Sequence, residues 1–390
     1  MSTQTDQIED NAQSVSSIVA GNDGQQAELA AGMVAIAGVH GVLAPFAYPQ
    51  EQITPELGAM LSPDGAHVEL IEKIHAATGV RSRNLALELA EYADLNDFGT
   101  ANDVFIRVGV DLGEQAIRGA LDKAGLNPED VDLVVSTSVT GIAAPSLEAR
   151  LVPRLGLRAD VKRMPIFGLG CVAGVAGIAR VRDYLLGDPD GVAVLLSVEL
   201  CSLTLQHADV SMANVVASGL FGDGAAAVVM VGAARAQRMG ITGPRVLASR
   251  ARMYPDTQQT MGWEIGASGF RIVLSPDVPA VVAQYLEADV IDFLSDQHLK
   301  VGDISRFVAH PGGPKVLEAM QHALGLDDGE LAVTWRSLAR IGNLSSASVL
   351  HVLADTMDGR DGAPTPEPGT PGLMMAMGPG FCAELVLLSW

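Results

Sequence analysis

The sequence predicts an α/β fold built from two similar α/β halves. Near-continuous apolar runs of strand length recur along the chain, stretches of helical periodicity separate them, and the alternation repeats in the second part. Such runs, with little polar alternation, predict mostly parallel sheets covered on both faces.

Residues 1–31 are rich in Gln, Ser, Asp and Ala without hydrophobic periodicity, which predicts an acidic flexible tail. A first half, 32–235, opens with a strand at Met33–Val39. The spacing of Phe105, Val108, Leu112, Ala116 and Leu121 predicts a helix over Asp103–Ala124, stopped by Gly125. Strands follow at Val131–Thr137, Val192–Glu199 and Ala225–Val231, with a helix over Cys171–Leu186 after the turn Gly168–Gly170. The second half, 236–390, repeats the pattern. It has strands near Val246–Ser249 and Phe307–His310, helices over Pro279–Leu294, Pro314–Leu324 and Asn343–Thr356, and a last pair of strands at Leu373–Met377 and Ala383–Leu388. Asp358–Pro371 is too rich in Pro and Gly for either element and reads as a loop.

Acidic residues outnumber basic ones, 46 to 25, for a net charge of −21. That field repels phosphate backbones, so nucleic acid is not an expected partner. No apolar run reaches the roughly 18 residues of a membrane span, and the first ten residues lack a signal peptide's basic and apolar regions. Three cysteines, Cys171, Cys201 and Cys382, make no disulfide framework and point to a cytoplasmic, reducing location. No cluster at metal-ligand spacing is visible, so no metal is expected.

Cys171 opens a small-residue helix behind the Gly168–Gly170 turn, where free N–H groups and the helix dipole favour a thiolate. The same placement suits a packed structural cysteine. His310 ends an apolar strand before the rigid Pro311–Pro314 turn, at the sheet edge where ligands gather in α/β folds, although a capping histidine also fits. Asn343 lies between Gly342 and a small-residue helix, a common place for a plain helix cap. Together the three suit thiol-dependent acyl transfer: a nucleophile, a proton partner and an amide donor. A papain-like protease shares the Cys–His–Asn order, but its flanking signature is missing around Cys171.

Five segments in register over residues 33–390 carry a resemblance: GLGCVAG (168–174), LFGDGAAA (220–227), HPGGPK (310–315), GNLSSAS (342–348) and MGPGF (377–381). They resemble the type III polyketide synthases, the chalcone-synthase-like branch of the thiolase fold. ELCSLT (199–204) and GFRIVLS (269–275) direct the likeness toward bacterial long-chain alkylpyrone and alkylresorcinol synthases.

The resemblance implies a layered α-β-α-β-α architecture and a homodimer using acyl-CoA with malonyl-CoA or methylmalonyl-CoA, without a cofactor. It implies that Cys171 carries the acyl group, while His310 and Asn343 hold the enolate left when malonyl-CoA loses CO2. Phe221 would gate the pocket, and Gly378, Pro379 and Gly380 would shape its wall. Thr140, Ala144, Cys201, Thr204 and Ile272 would line the starter pocket, their small or aliphatic side chains accompanying a tunnel for a long acyl tail. Thr140 stands where tetrahydroxynaphthalene-forming relatives carry cysteine, which argues against that product. Lys73, Arg81 and Arg83, with Gly312 and Gly313, would meet CoA at the tunnel mouth. The expected product is an alkyl-α-pyrone. Open alternatives are an aromatic product (alkylresorcinol or tetrahydroxynaphthalene), a ketoacyl synthase III-like enzyme using carrier-bound malonate, and a catalytically silent scaffold.

Overall fold

The computed structural model describes residues 33–390, so the acidic tail expected at 1–31 lies outside the described residues. Thirteen strands occur among them. Nine form one hydrogen-bonded sheet in two groups. The first group is β1 (Ala35–Leu43), β7 (Asp223–Val231), β6 (Val192–Leu200), β4 (Leu133–Ser138) and β5 (Lys162–Phe167), in that order. The second is β11 (Arg306–Ala309), β12 (Pro371–Gly378), β13 (Cys382–Ser389) and β8 (Arg245–Met253). The groups join where β1 meets β8, through the pair Ala35 and Arg245. Two small two-stranded sheets complete the set: β2 (Phe46–Pro49) with β3 (Ser82–Leu85), which two helices separate in the chain, and the hairpin β9 (Met261–Gly266) with β10 (Gly269–Leu274).

The expectation of mostly parallel sheets is corrected. Only β4–β5, β4–β6 and β11–β12 pair in parallel; β1–β7, β6–β7, β12–β13, β13–β8 and β1–β8 are antiparallel. A continuous apolar run reports burial of both faces, whatever the direction of its neighbours. Along β6, Val192, Val194, Leu196 and Val198 enter the outer core of the first half, while Ala193 and Leu195 enter the central core. On β13, Val386 and Leu388 face that central core, and Leu385 and Leu387 face a third one. The period-2 strand therefore divides its apolar residues between two cores.

Helices fill the three layers this requires. Ala173–Leu186 and Ser348–Met357 lie centrally, touching strands of both groups. Phe98–Ala124 covers the outer face of the first group, and Val278–Ser295 with Pro314–Leu324 covers that of the second. The result is the layered α-β-α-β-α thiolase-like arrangement of two similar halves. The long first helix starts five residues earlier than its apolar spacing predicts, because Asp97 caps it by accepting from Thr100 N at 3.0 Å. Asn343 precedes its helix: a 3₁₀ turn over Ser345–Ala347 intervenes, and the helix proper begins at Ser348.

Candidate active site

Cys171 sits in a 3₁₀ turn, Gly170–Val172, that leads into the Ala173–Leu186 helix. Gly170 has φ 57°, and a Cβ there would stand 2.6 Å from Pro379 Cδ. Only glycine fits this turn against the β12–β13 tip, so Gly170 and Pro379 together fix where the sulfur points. The helix-dipole expectation of a ready thiolate is not met in isolation. Burial pushes the Cys171 thiol up to about 12, with the nearby Glu199 carboxylate adding to the rise.

His310 continues the β11–β12 pairing by donating its N–H to Met375 O at 2.9 Å, which places it at the C-terminal end of β11. It is 2% exposed, and neither ring nitrogen has a partner among the described residues. Burial lowers its pKa to about 3, so the lone ring is neutral. Asn343 is stitched to the first half: its N–H donates to Leu220 O at 2.9 Å, and its carbonyl accepts from Gly222 N at 3.0 Å. Its Oδ1 accepts from Ser345 N at 2.8 Å, which orients the amide. Nδ2 then reaches Gly312 O at 3.4 Å, beside His310. Ser345 Oγ in turn lies 3.7 Å from Cys171 Sγ. Residues far apart in sequence thus meet at one place, linked through Ser345 and Gly312.

A cavity of about 40 Å³ borders Cys171, walled by Cys201, Phe221, Met261, Trp263, Ile272, Ser345 and Pro379 among others. Beside it lies a smaller one of about 20 Å³, bordered by Arg83 and Thr204 and sharing Cys201, Phe221 and Ile272. Leu205 and Ile272 also border a surface cleft of about 930 Å³ between the 205–213 segment and the β9–β10 hairpin. A polar network lies next to the site. Glu199, wholly buried at the end of β6, accepts from Ser346 Oγ at 2.5 Å, Thr140 Oγ1 at 2.9 Å and Val139 N at 3.1 Å.

Several expected site residues are placed elsewhere. Arg83 is 1% exposed, its Nε donating to Gln50 Oε1 at 2.9 Å and Nη1 to Phe221 O at 2.6 Å. It therefore does not stand at a solvent-facing mouth; a charge-rich segment does not reveal which cation β3 turns inward. Lys73 and Arg81 are exposed. Gly312 and Gly313 lie in the turn behind His310, with Gly313 at φ 139°. Thr140 borders a separate cavity of about 10 Å³ with Phe98 and Phe270, its hydroxyl held by Glu199. Ala144 is exposed and borders no part of its own chain's cavity. Gly378 and Gly380 flank Pro379 at the tip. Ser345, Glu199, Met261 and Trp263 were not singled out in the sequence. Glu199 had a signal: it is the one acid inside the apolar run VAVLLSVEL.

Comparisons with known proteins point to one family. A family model described as FAE1/type III polyketide synthase-like protein matches residues 109–295, and one for the C-terminal domain of chalcone and stilbene synthases matches 245–389. A 1,3,6,8-tetrahydroxynaphthalene synthase of Streptomyces peucetius subsp. caesius is 54% identical over 91% of this chain and 93% of its own. A putative chalcone synthase of Bacillus subtilis (strain 168) is 34% identical over 80% and 86%. The crystal structure of 1,3,6,8-tetrahydroxynaphthalene synthase from Streptomyces coelicolor A3(2) superposes with a TM-score of 0.84 at 28% identity, covering 91% of this chain and 99% of that one.

Proposed function

Because the chain belongs to the type III polyketide synthases, decarboxylating acyltransferases that condense CoA thioesters, we propose that it primes with malonyl-CoA, extends with malonyl-CoA and releases an aromatic product of the tetrahydroxynaphthalene class. The observation that carries this reading is the 54% identity to a tetrahydroxynaphthalene synthase over 91% of the chain. The sequence argument against this product rested on Thr140, whose hydroxyl is committed to Glu199 outside the Cys171 cavity.

In this mechanism Cys171 Sγ attacks the thioester carbonyl, its proton passes to His310, and CoA leaves taking that proton. A second malonyl-CoA loses CO2, and the bond's electron pair becomes an enolate whose oxygen is held by His310 and Asn343 Nδ2. The enolate carbon attacks the acyl-Cys171 carbonyl, forming the new C–C bond and releasing the sulfur. The ten carbons of a naphthalene nucleus correspond to five such two-carbon units. The carbanion comes from decarboxylation and the electrophile is a thioester, so the chemistry calls for no metal or organic cofactor. Lys73 and Arg81, both exposed, supply cations for the CoA phosphates in an otherwise acidic protein.

A homodimer completes the proposal. β5 is one of the two edges of the large sheet, and Met164 and Phe167 on it are 44% and 50% exposed, with Ile142, close in sequence to Ala144, at 47%. Among the described residues no helix is long and apolar enough to cross a membrane. The cytoplasmic assignment rests on three buried, unpaired cysteines.

A second reading, the long-chain alkylpyrone, has one observation in its favour: Leu205 and Ile272 wall both the 20 Å³ cavity and the 930 Å³ cleft, where an acyl tail could lie. Purified protein given malonyl-CoA alone, then malonyl-CoA with an acyl-CoA ladder, separates the two by product mass, with Cys171→Ala as control. An aromatic product from malonyl-CoA alone supports the proposal. A requirement for long acyl starters replaces it with the second reading.

A further inference from the structure

The 20 Å³ pocket beside the Cys171 cavity is polar on one side, where Arg83, Ser202, Thr204, Asn214 and Ser218 face it. Nearly every proton on that wall is committed. Thr204 Oγ1 donates to Cys201 O at 2.7 Å, and Ser218 Oγ to Val215 O at 2.9 Å. Asn214 Nδ2 donates at 2.8 Å to both Gln206 O and Asp209 O, and Ser202 Oγ donates to Asp223. Arg83 differs. With Nε on Gln50 and Nη1 on Phe221 O, its Nη2 is wholly buried and has no partner among the described residues. Asp223, the nearby acid, is occupied by Ala86 N at 2.7 Å, Ser202 N at 2.8 Å and Ser202 Oγ. A buried, uncommitted cationic donor at a pocket wall suits one ligand class, a small anion.

The pocket shares Cys201, Phe221 and Ile272 with the cavity at the nucleophile, so the two adjoin the same three side chains. We propose that this pocket takes the free carboxylate of the malonyl group as it is loaded on Cys171, with Arg83 Nη2 as donor. Arg83 is then a specificity determinant that prefers a carboxylated starter over a plain acyl one. The inference rests on the malonyl-primed reading above and names the residue that recognises the starter. Acetyl-CoA, which lacks only the carboxylate, is the matched control.

Rapid-quench mass analysis of the Cys171 peptide measures first-turnover loading from malonyl-CoA and, separately, from acetyl-CoA. In Arg83→Lys, which keeps the charge but loses the fork, malonyl loading should fall about tenfold or more while acetyl loading stays within about twofold. Arg83 also bonds Gln50 and Phe221 O, so a second variant leaves it untouched. Ala217 borders this pocket and not the Cys171 cavity, and Ala217→Leu fills it. The same selective loss is expected there. Equal loss of malonyl and acetyl loading in a folded Ala217→Leu protein, or no loss of malonyl loading, overturns the inference. If wild-type protein loads long acyl-CoA and not malonyl-CoA, the malonyl-primed reading itself fails, a result distinct from either.

Discussion

At the scale of single residues, Cys171 and His310 are each buried where a lone charge is disfavoured. Burial raises the thiol to about 12 and lowers the imidazole to about 3. In the proposed mechanism a thiolate is reached as half of an ion pair, the sulfur's proton moving to the ring. The sign follows directly: a lone thiol titrating far above neutral gains about tenfold in thiolate for each pH unit gained. In His310→Ala, iodoacetamide alkylation of Cys171 should climb about tenfold per pH unit between 7 and 10, while the wild type should vary far less. Matching profiles in the two proteins would remove His310 as the proton partner. Asn343→Ala should spare Cys171 loading but lower malonyl-CoA decarboxylation by about 100-fold, read as CO2 release, since one preorganised oxyanion donor is worth that much.

These three side chains were legible because turn-forming neighbours mark them: Gly168–Gly170, Pro311–Pro314 and Gly342. Arg83 was legible only as a charge. Its burial depends on Gln50, Phe221 and Asp223, which lie far from it in sequence, and local pattern carries no record of such partners. Thr140 and Ala144 were placed by likeness alone, and likeness does not tell which cavity a residue faces.

At the scale of elements, the 341–345 connection positions Asn343 by one backbone conformation. Gly342 has φ 72° and ψ −164°, and a Cβ there would stand 2.7 Å from Leu220 O. Backbone cannot yield as a flexible side chain can. Gly342→Ala should destabilise the protein by about 1–3 kcal/mol in urea unfolding and lower condensation more than Cys171 loading. Unchanged stability with unchanged product would show that the connection is not held as described. Strands were read well because two-face burial writes continuous apolar runs. Their direction was not, since β6 and β13 are as apolar as parallel strands while pairing antiparallel with β7 and β12. Helix starts were the weak point. Asp97 and the Ser345–Ala347 turn set them through hydrogen bonds, which hydrophobic spacing does not encode.

At the scale of the whole molecule, the fold brings Cys171 of the first half to within 3.7 Å of Ser345 of the second, which is bonded to Asn343, whose amide in turn reaches Gly312 beside His310. In the proposed homodimer, the exposed edge strand β5 is the face that meets the second copy. Light scattering should give twice the chain mass, and Met164→Glu with Phe167→Glu should shift it toward one; a monomeric wild type would contradict the dimer. In the proposed reaction malonyl units alone build the product. The most direct measurement gives the protein fully ¹³C-labelled malonyl-CoA together with unlabelled palmitoyl-CoA and reads the product's label. An aromatic product labelled at every carbon is predicted. A product carrying an unlabelled alkyl chain would rule out malonyl priming.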